Sequence, residues 1–429
     1  MTINKYTYNW FTLAITVLGI GGGLAFVLGM SRAPQMSAYF PANFFSYALA
    51  GHVINAIIFW FMSFIIVIWS RSFNTKVPGT VIIAAIIGAV LVLASVFRAS
   101  GNMVKNNYVP TIDDPVFFTG LALFFIAFTI NVFFYIKESF KLFGSQDIEE
   151  DTIAVSVIIA LIIFISFVYS LIFTRYGAGT DTFYERLYWI PGHIQQLLNG
   201  IILAFIWHKL TGNKNSYSPI ETILLRASNR VILASSVLLL LTPLQFDPIS
   251  GSAMKISSSV YAYGLGLPLF LHAIIVLKNN KFNLKSTAYS AVFLSIILYT
   301  IGAAIGYIGF GNDTRIPAHY HGTVGSITLA MMGYSFIFLK DYFSLEKLAT
   351  IAKLQPFLYG LGMVSLVTGM FISGLHGAPR KVHGTAFTDD PVALFSLSLI
   401  GLGTVLAVSG GIIFVVYSLK VIIKGEKND

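Results

Sequence analysis

Apolar runs of about 20 residues recur from one end of the chain to the other, and a run of that length is what a helix needs to cross the roughly 30 Å hydrocarbon core of a bilayer. Twelve spans are read, at residues 10–30, 43–69, 78–97, 114–136, 152–174, 187–210, 227–246, 256–277, 287–309, 317–338, 354–375 and 390–418. In lipid every backbone N–H and C=O must be satisfied within the protein. Strand-like alternation is absent, so each run closes its own hydrogen bonds as a helix. The expected fold class is therefore an all-α polytopic membrane bundle of twelve transmembrane helices. The connections are short and no internal repeat is evident, so residues 1–429 are expected to form a single transmembrane domain. The first run lacks a small-residue cleavage site and is read as retained. A composition of 56% hydrophobic and 10% charged residues excludes a soluble globule.

The formal charge of +9 could point to a nucleic-acid partner, but the basic residues follow a simpler pattern. With the N-terminus inside, eighteen of the 27 Lys and Arg fall on the inner side: Lys5, Arg71, Lys76, Lys137, Lys141, Lys209, Lys214, Arg226, Arg230, Lys278, Lys281, Lys285, Lys340, Lys347, Lys353, Lys420, Lys424 and Lys427. This is the positive-inside rule, with both termini cytoplasmic and membrane lipid as the partner rather than nucleic acid. The absence of Cys excludes disulfides, thiolate metal sites, iron–sulfur clusters and thioether-linked haem. A metal has only His, carboxylate, amide and Tyr to hold it.

Topology converts sequence position into depth. His52 in "GHVINAIIF", His193 in "YWIPGHIQQLLNG", and His319 and His321 in "AHYHGTVGSITLAMMGYSF" all lie near the outer ends of their spans. At about 1.5 Å per residue the four share the outer half of the membrane. His208 and His272 lie toward the inner side, and His376 and His383 in or beside the outer loop after the eleventh span. Ionisable residues in hydrocarbon are costly and mark pathways or ligands. At about 100° per residue, His319 and His321 point to nearly opposite faces of one helix and so serve two pockets. A bundle lined with imidazoles and no thiols suits haem iron or copper.

These residues resemble the haem-copper oxidase superfamily, subunit I, over the whole chain, and in particular its C-type or nitric-oxide-reductase-like branch, a bacterial group. That family has twelve helices, a low-spin haem ligand in the second, a copper-ligating Gly-His in the sixth and a His-x-His in the tenth. The same order stands here as His52, Gly192-His193 and His319-Tyr320-His321. The resemblance implies two haems: a low-spin haem held by His52 and His321, and a high-spin haem held by His319. A non-haem metal, copper or iron, would be bound at His193. Asp313 in "DTRIPAHYH" and Arg380-Lys381 in "GLHGAPRK" resemble the family's carboxylate and basic pair beside the haem propionates. The implied activity is that of a respiratory oxidoreductase in the inner (plasma) membrane of a prokaryote, reducing O2 or NO. A second subunit carrying copper or c-type haem would donate the electrons.

The chain also departs from the family pattern. The adjacent His pair expected near the seventh helix is missing, and the position four residues after His193 is Leu197 rather than Tyr or Glu. Gln196, Asn199, Gln245 and Asp247 are the candidates to complete a site around His193, with Asp247 as the carboxylate catalytic partner suited to iron. Tyr261 and Tyr263 are candidate proton or electron donors. No Asp or Glu lies in the middle of any span, which argues against proton pumping and leaves Asp113, Asp114 or Glu185 as outer-side proton carriers. Three other readings stay open: a nitric oxide reductase specifically, a non-catalytic haem carrier or gas sensor lacking the dinuclear site, and a histidine-based proton transporter.

Overall fold

The computed structural model describes residues 5–104, 106–174, 180–212, 217–309, 311–345 and 348–425, so Lys214, Lys347 and Lys427 lie outside the described residues. Within them the chain forms long helices joined by short connections: α1 (Lys5–Met30), α2 (Ala42–Ser72), α3 (Thr80–Arg98), α4 (Pro115–Leu142), α5 (Ile148–Phe173), α6 (Thr180–Thr211), α7 (Pro219–Leu244), α8 (Gly251–Lys278), α9 (Thr287–Ile308), α10 (Arg315–Tyr342), α11 (Thr350–Leu375) and α12 (Pro391–Gly425).

Eleven of these helices, all except α6, are long and apolar enough to cross a membrane. Helix α6 has ample length at 32 residues, but Pro191, His193, Gln195, Gln196 and Asn199 lower its apolarity. Polar side chains that disqualify a helix on average hydropathy are what a functional helix carries. One further departure from expectation is a short antiparallel ribbon, β1 (Asn102–Val104) with β2 (Thr111–Asp113), in the connection between α3 and α4. Three-residue strands outside a span leave no periodicity to read.

Helix ends are fixed by ordinary capping chemistry. Asp114 caps α4, accepting from Val116 N, ahead of Pro115 at the first helical position. Ser218 and Glu221 form a reciprocal capping box at α7. The Asp114 carboxyl is held below its usual range, chiefly by the Ser95 hydroxyl and also by the Val116 N–H and the Arg98 guanidinium.

The helices gather into two compact units. The first contains Thr12–Phe61 and the described residues from Phe282 onward; the second contains Met62–Lys281 and the beginning of α1 up to Phe11. In the first unit α9, α10, α11 and α12 pack as successive neighbours around Leu294, Leu298, Leu329, Met363 and Ala407. In the second, α3 to α8 form a chain of neighbours. The contrast between helices is informative: α2 and α10 are 83% buried across their most apolar stretch, about twice the value of most other spans. They carry His52, His319 and His321, and the protein itself covers most of their surface.

Among the described residues two helices contain a π-helical segment: Ile54–Phe59 in α2, two residues after His52, and Val260–Gly266 in α8, which includes Tyr261. Such segments are uncommon and cluster at functional sites, where the extra residue re-aims a side chain.

Candidate functional site

In the first unit a cavity of about 560 Å³ lies among α1, α2, α10, α11 and α12. This is within the roughly 300–1,000 Å³ of small-molecule and cofactor sites. Its wall is mostly apolar, with Leu18, Phe26, Leu49, Met332, Met363 and Val408 among the contributors, and it is thinned by Gly22, Gly23 and Gly411, where an added Cβ would meet no atom within 4 Å. Two imidazoles enter it. His52 Nδ1 donates to the Gly21 carbonyl at 2.9 Å, and His321 Nδ1 donates to the Pro317 carbonyl at 2.8 Å. A carbonyl only accepts, so each neutral ring carries its proton on Nδ1 and keeps the Nε2 lone pair for a ligand. Tethering the far nitrogen to backbone is how metal-binding histidines are oriented.

At its mouth the cavity is basic: Arg32, Arg380 and Lys381 all line it. Arg32 is 8% exposed, donates through Nη2 to the Pro379 carbonyl at 2.9 Å, lies over the Phe387 ring, and has a buried Nε without a partner among the described residues. Burial lowers its guanidinium to about 10, the cost of holding a cation away from water with an incomplete set of acceptors. The loop bearing Arg380 and Lys381 is stitched to the start of α10: Thr314 N donates to Ala378 O at 3.0 Å and Arg380 Nε to Asn312 Oδ1 at 3.0 Å. Lys381 itself sits at φ +58°, a left-handed conformation that a non-glycine residue adopts only when its surroundings hold it.

Asp313 does not line the cavity. It grips Arg315 through both oxygens, at 2.8–3.2 Å, and bridges to Pro379, so it fastens the entrance of α10 to the basic loop. The bidentate Arg315 contact is the main reason its carboxyl is held below the usual range.

His319 is absent from the cavity wall. Its Nδ1 donates to Gly302 O of α9 at 2.8 Å, and its ring lies on Gly306, whose added Cβ would sit 2.9 Å from Cε1. Gly302 and Gly306 form a GxxxG pair, and Gly302 meets Gly322 of α10 so closely that a Cβ there would lie 2.6 Å from the Thr323 nitrogen. His319 and His321 thus have separate surroundings on one helix.

In the second unit His193 is buried, at 5% exposure, and both of its ring nitrogens have protein partners. Nδ1 donates to Trp189 O at 2.7 Å. Nε2 must then accept, and it does so from Tyr108 Oη at 3.1 Å, while Tyr108 in turn meets Tyr261 Oη at 3.0 Å. The rings of Trp189 and Tyr261 enclose the imidazole at 4.6 and 4.8 Å. Gly192 permits this cap, because an added Cβ would come within 2.4 Å of the Tyr108 ring. Burial raises the Tyr108 hydroxyl well above its ordinary value, so it stays a proton donor.

The other residues expected near His193 have different partners. Asp247 is exposed and bound to Arg186 Nε at 2.8 Å, Gln245 and Tyr263 are exposed, and Gln196 accepts from Asn199 at 3.3 Å. Glu185 is taken by the backbone and side chain of Asn107.

The chemistry of the first-unit cavity fits a haem: two opposed-helix imidazoles with free Nε2 atoms, apolar walls for a flat ring, and three cations, one with an unpartnered buried N–H, for its carboxylate arms. His193 does not fit a non-haem metal. It is a single imidazole whose lone pair already accepts a hydrogen bond from Tyr108, and among the described residues no three His, Cys, Asp or Glu side chains gather as a metal site.

Arg32 and Tyr108 escaped the sequence reading. Each sits in a connection, and the residues it meets lie far along the chain. The nearest signal was the Asn-Asn-Tyr-Val-Pro stretch, 106–110, whose Asn106 accepts from Tyr108 N and Val109 N and so builds the turn that presents Tyr108.

The fold and its buried histidine helices define a polytopic α-helical membrane protein. No family model matches the chain. It is 30% identical to an uncharacterized protein of Aquifex aeolicus (strain VF5), over 348 residues that cover 81% of this chain and 88% of that protein. It is also 25% identical to the uncharacterized protein RP382 of Rickettsia prowazekii (strain Madrid E), over 96% of this chain and 95% of that protein. The chain belongs to the same family as the Aquifex protein.

Proposed function

We propose that this protein is a membrane haem oxidoreductase akin to subunit I of the haem-copper oxidases, with twelve crossings and both termini in the cytoplasm of a prokaryote. The observation that carries the reading is the first-unit cavity, with His52 and His321 each tethered through Nδ1 and presenting Nε2 to a space with a basic mouth. In this reading His52 and His321 would hold a low-spin haem, Arg32, Arg380 and Lys381 would pair with its carboxylate arms, and His319 would hold a second haem, which would supply the chemistry for O2 or NO reduction. A haem so held supplies reversible one-electron chemistry at iron. The protein's own contribution is orientation. The Gly21 and Pro317 carbonyls fix the imidazole tautomers, and Asp313 with Arg315 anchors the loop that brings the basic pair to the cavity. A partner subunit carrying copper or c-type haem delivers the electrons, since this chain has no Cys for either.

One observation favours a second reading. With His193 Nε2 accepting from Tyr108, no non-haem metal site is evident among the described residues, which suits a haem electron carrier or gas sensor. The discriminating experiment is a reduced-minus-oxidised spectrum of the purified protein with haem and metal quantification. Two haems per chain are expected, with the low-spin bands lost in both His52→Ala and His321→Ala and a high-spin haem remaining. Unchanged low-spin bands in the two variants, or no haem in the wild type, refutes the proposal.

A further inference from the structure

The second unit contains a buried pair of imidazoles that the haem reading does not use. His208, near the end of α6, and His272, in α8, are 2% and 0% exposed. His208 Nε2 lies 2.8 Å from His272 Nδ1, and His208 Nδ1 lies 2.6 Å from the hydroxyl of Tyr217, just before α7. The far nitrogen, His272 Nε2, is buried with no partner among the described residues. The charged groups around the open end of this row are Glu149, paired with Lys209 at 2.9 Å, and Glu221, paired with Lys278 at 2.9 Å. Both carboxylates act electrostatically on Tyr217, which packs on Ile148, Leu225 and Ile275. These are helix ends that the charge distribution assigns to the inner side.

A row of hydroxyl, imidazole and imidazole has two self-consistent hydrogen-bond directions. In one, Tyr217 donates to His208 Nδ1, His208 Nε2 donates to His272 Nδ1, and His272 Nε2 carries a proton. In the other, His272 Nδ1 donates to His208 Nε2, His208 Nδ1 donates to Tyr217, and His272 Nε2 is bare. The first becomes the second when His272 Nε2 releases its proton, the Nε2 proton of His208 moves to His272 Nδ1, the Tyr217 proton moves to His208 Nδ1, and the Tyr217 oxygen takes up a new proton. One proton enters, one leaves and no electrons move. A buried polar atom without a partner calls for an explanation, and the delivering end of such a row is one.

We propose that Tyr217, His208 and His272 form a proton relay that opens beside Glu149 and Glu221 and delivers at His272 Nε2. Imidazoles then do what the missing mid-span carboxylates cannot, and the protons come from the opposite side to the one the loop carboxylates Asp113, Asp114 and Glu185 suggested. The inference is independent of the haem proposal.

The test is hydrogen–deuterium exchange of the ring N–H of His272, followed by NMR on full-length protein with isotope-labelled histidine in lipid nanodiscs and assigned with His272→Gln. Wild-type exchange is expected to be at least tenfold faster than in Tyr217→Phe, which removes the entry hydroxyl, and than in His208→Gln, which keeps a polar side chain but cannot pass a proton from one ring nitrogen to the other. The signals of the remaining histidines should be unchanged and so report an intact fold. If His272 is as slow in the wild type as in both variants, or equally fast in all three, the row is a static core contact and the relay is wrong.

Discussion

The helix crossing that positions His319 can be tested with a single methyl group. Gly302→Ala places a Cβ 2.6 Å from Thr323 N, 2.8 Å from Gly322 C and 2.9 Å from Gly322 Cα, all backbone atoms of α10. Comfortable contact needs about 3.5 Å or more, so α9 and α10 must part by roughly an ångström. Overpacking of this kind costs about 1–3 kcal/mol, and parting the helices also strains the His319 bond to Gly302 O, worth about 1 kcal/mol net. Against this, alanine gains at most about 1 kcal/mol of helix propensity over glycine. The net expectation is a loss of about 1–3 kcal/mol. Gly251→Ala, at the start of α8, meets nothing within 4 Å and should stay within about 0.5 kcal/mol of wild type. Thermal unfolding in detergent micelles compares the two directly. Equal stability of Gly302→Ala and Gly251→Ala would mean that the close crossing does not exist as described.

Further expectations follow from the same geometry. If His319 is the proximal ligand of a five-coordinate haem, the reduced wild-type protein shifts its spectrum on adding CO and His319→Ala loses that shift; a wild type indifferent to CO removes the high-spin site. Metal analysis of the purified protein should find no stoichiometric non-haem copper or iron, because His193 Nε2 is occupied by Tyr108, whereas a full equivalent that disappears in His193→Ala would overturn that assignment. The Asp313 carboxyl is held below its ordinary value by Arg315, so its stabilising contribution is complete above about pH 4 and is lost as pH falls through the lowered folded-state value. Asp313→Asn should therefore flatten the acid limb of a stability–pH profile, and an unaltered limb would show that the Arg315 contact contributes nothing.

The spans were legible because bilayer crossing is written in length and apolarity, which a sequence carries residue by residue. Helix α6 was read as a span in spite of its polar centre, and of that polarity Gln196 and Asn199 pair with each other while His193 is enclosed by Trp189, Tyr108 and Tyr261. The separation of His319 from His321 followed from helical pitch alone. What could not be read was anything set by where a connection folds back. Asp247 looked available for His193, yet its loop carries it to Arg186, 61 positions earlier in the chain. Tyr108 and Arg32 became visible only once the turn at Asn106 and the contact with Pro379 brought them over their sites. Such contacts depend on backbone geometry that no local pattern encodes.

The π-helical segment after His52 means that α2 holds one residue more than regular helical winding can accommodate between the portions before and after it. The two portions are thereby rotated out of phase by about 100°, the angle of a single residue. The stretch after the segment can keep Trp60 and Phe61 buried on its own register while the stretch before it aims His52 on another. Deleting one residue from Ile54–Phe59 would restore a uniform helix and conserve every apolar residue's character, yet it would swing His52 a quarter-turn or more away from the cavity. In a lineage of such chains, loss of the site could therefore arise from a deletion that spares every histidine and changes no loop.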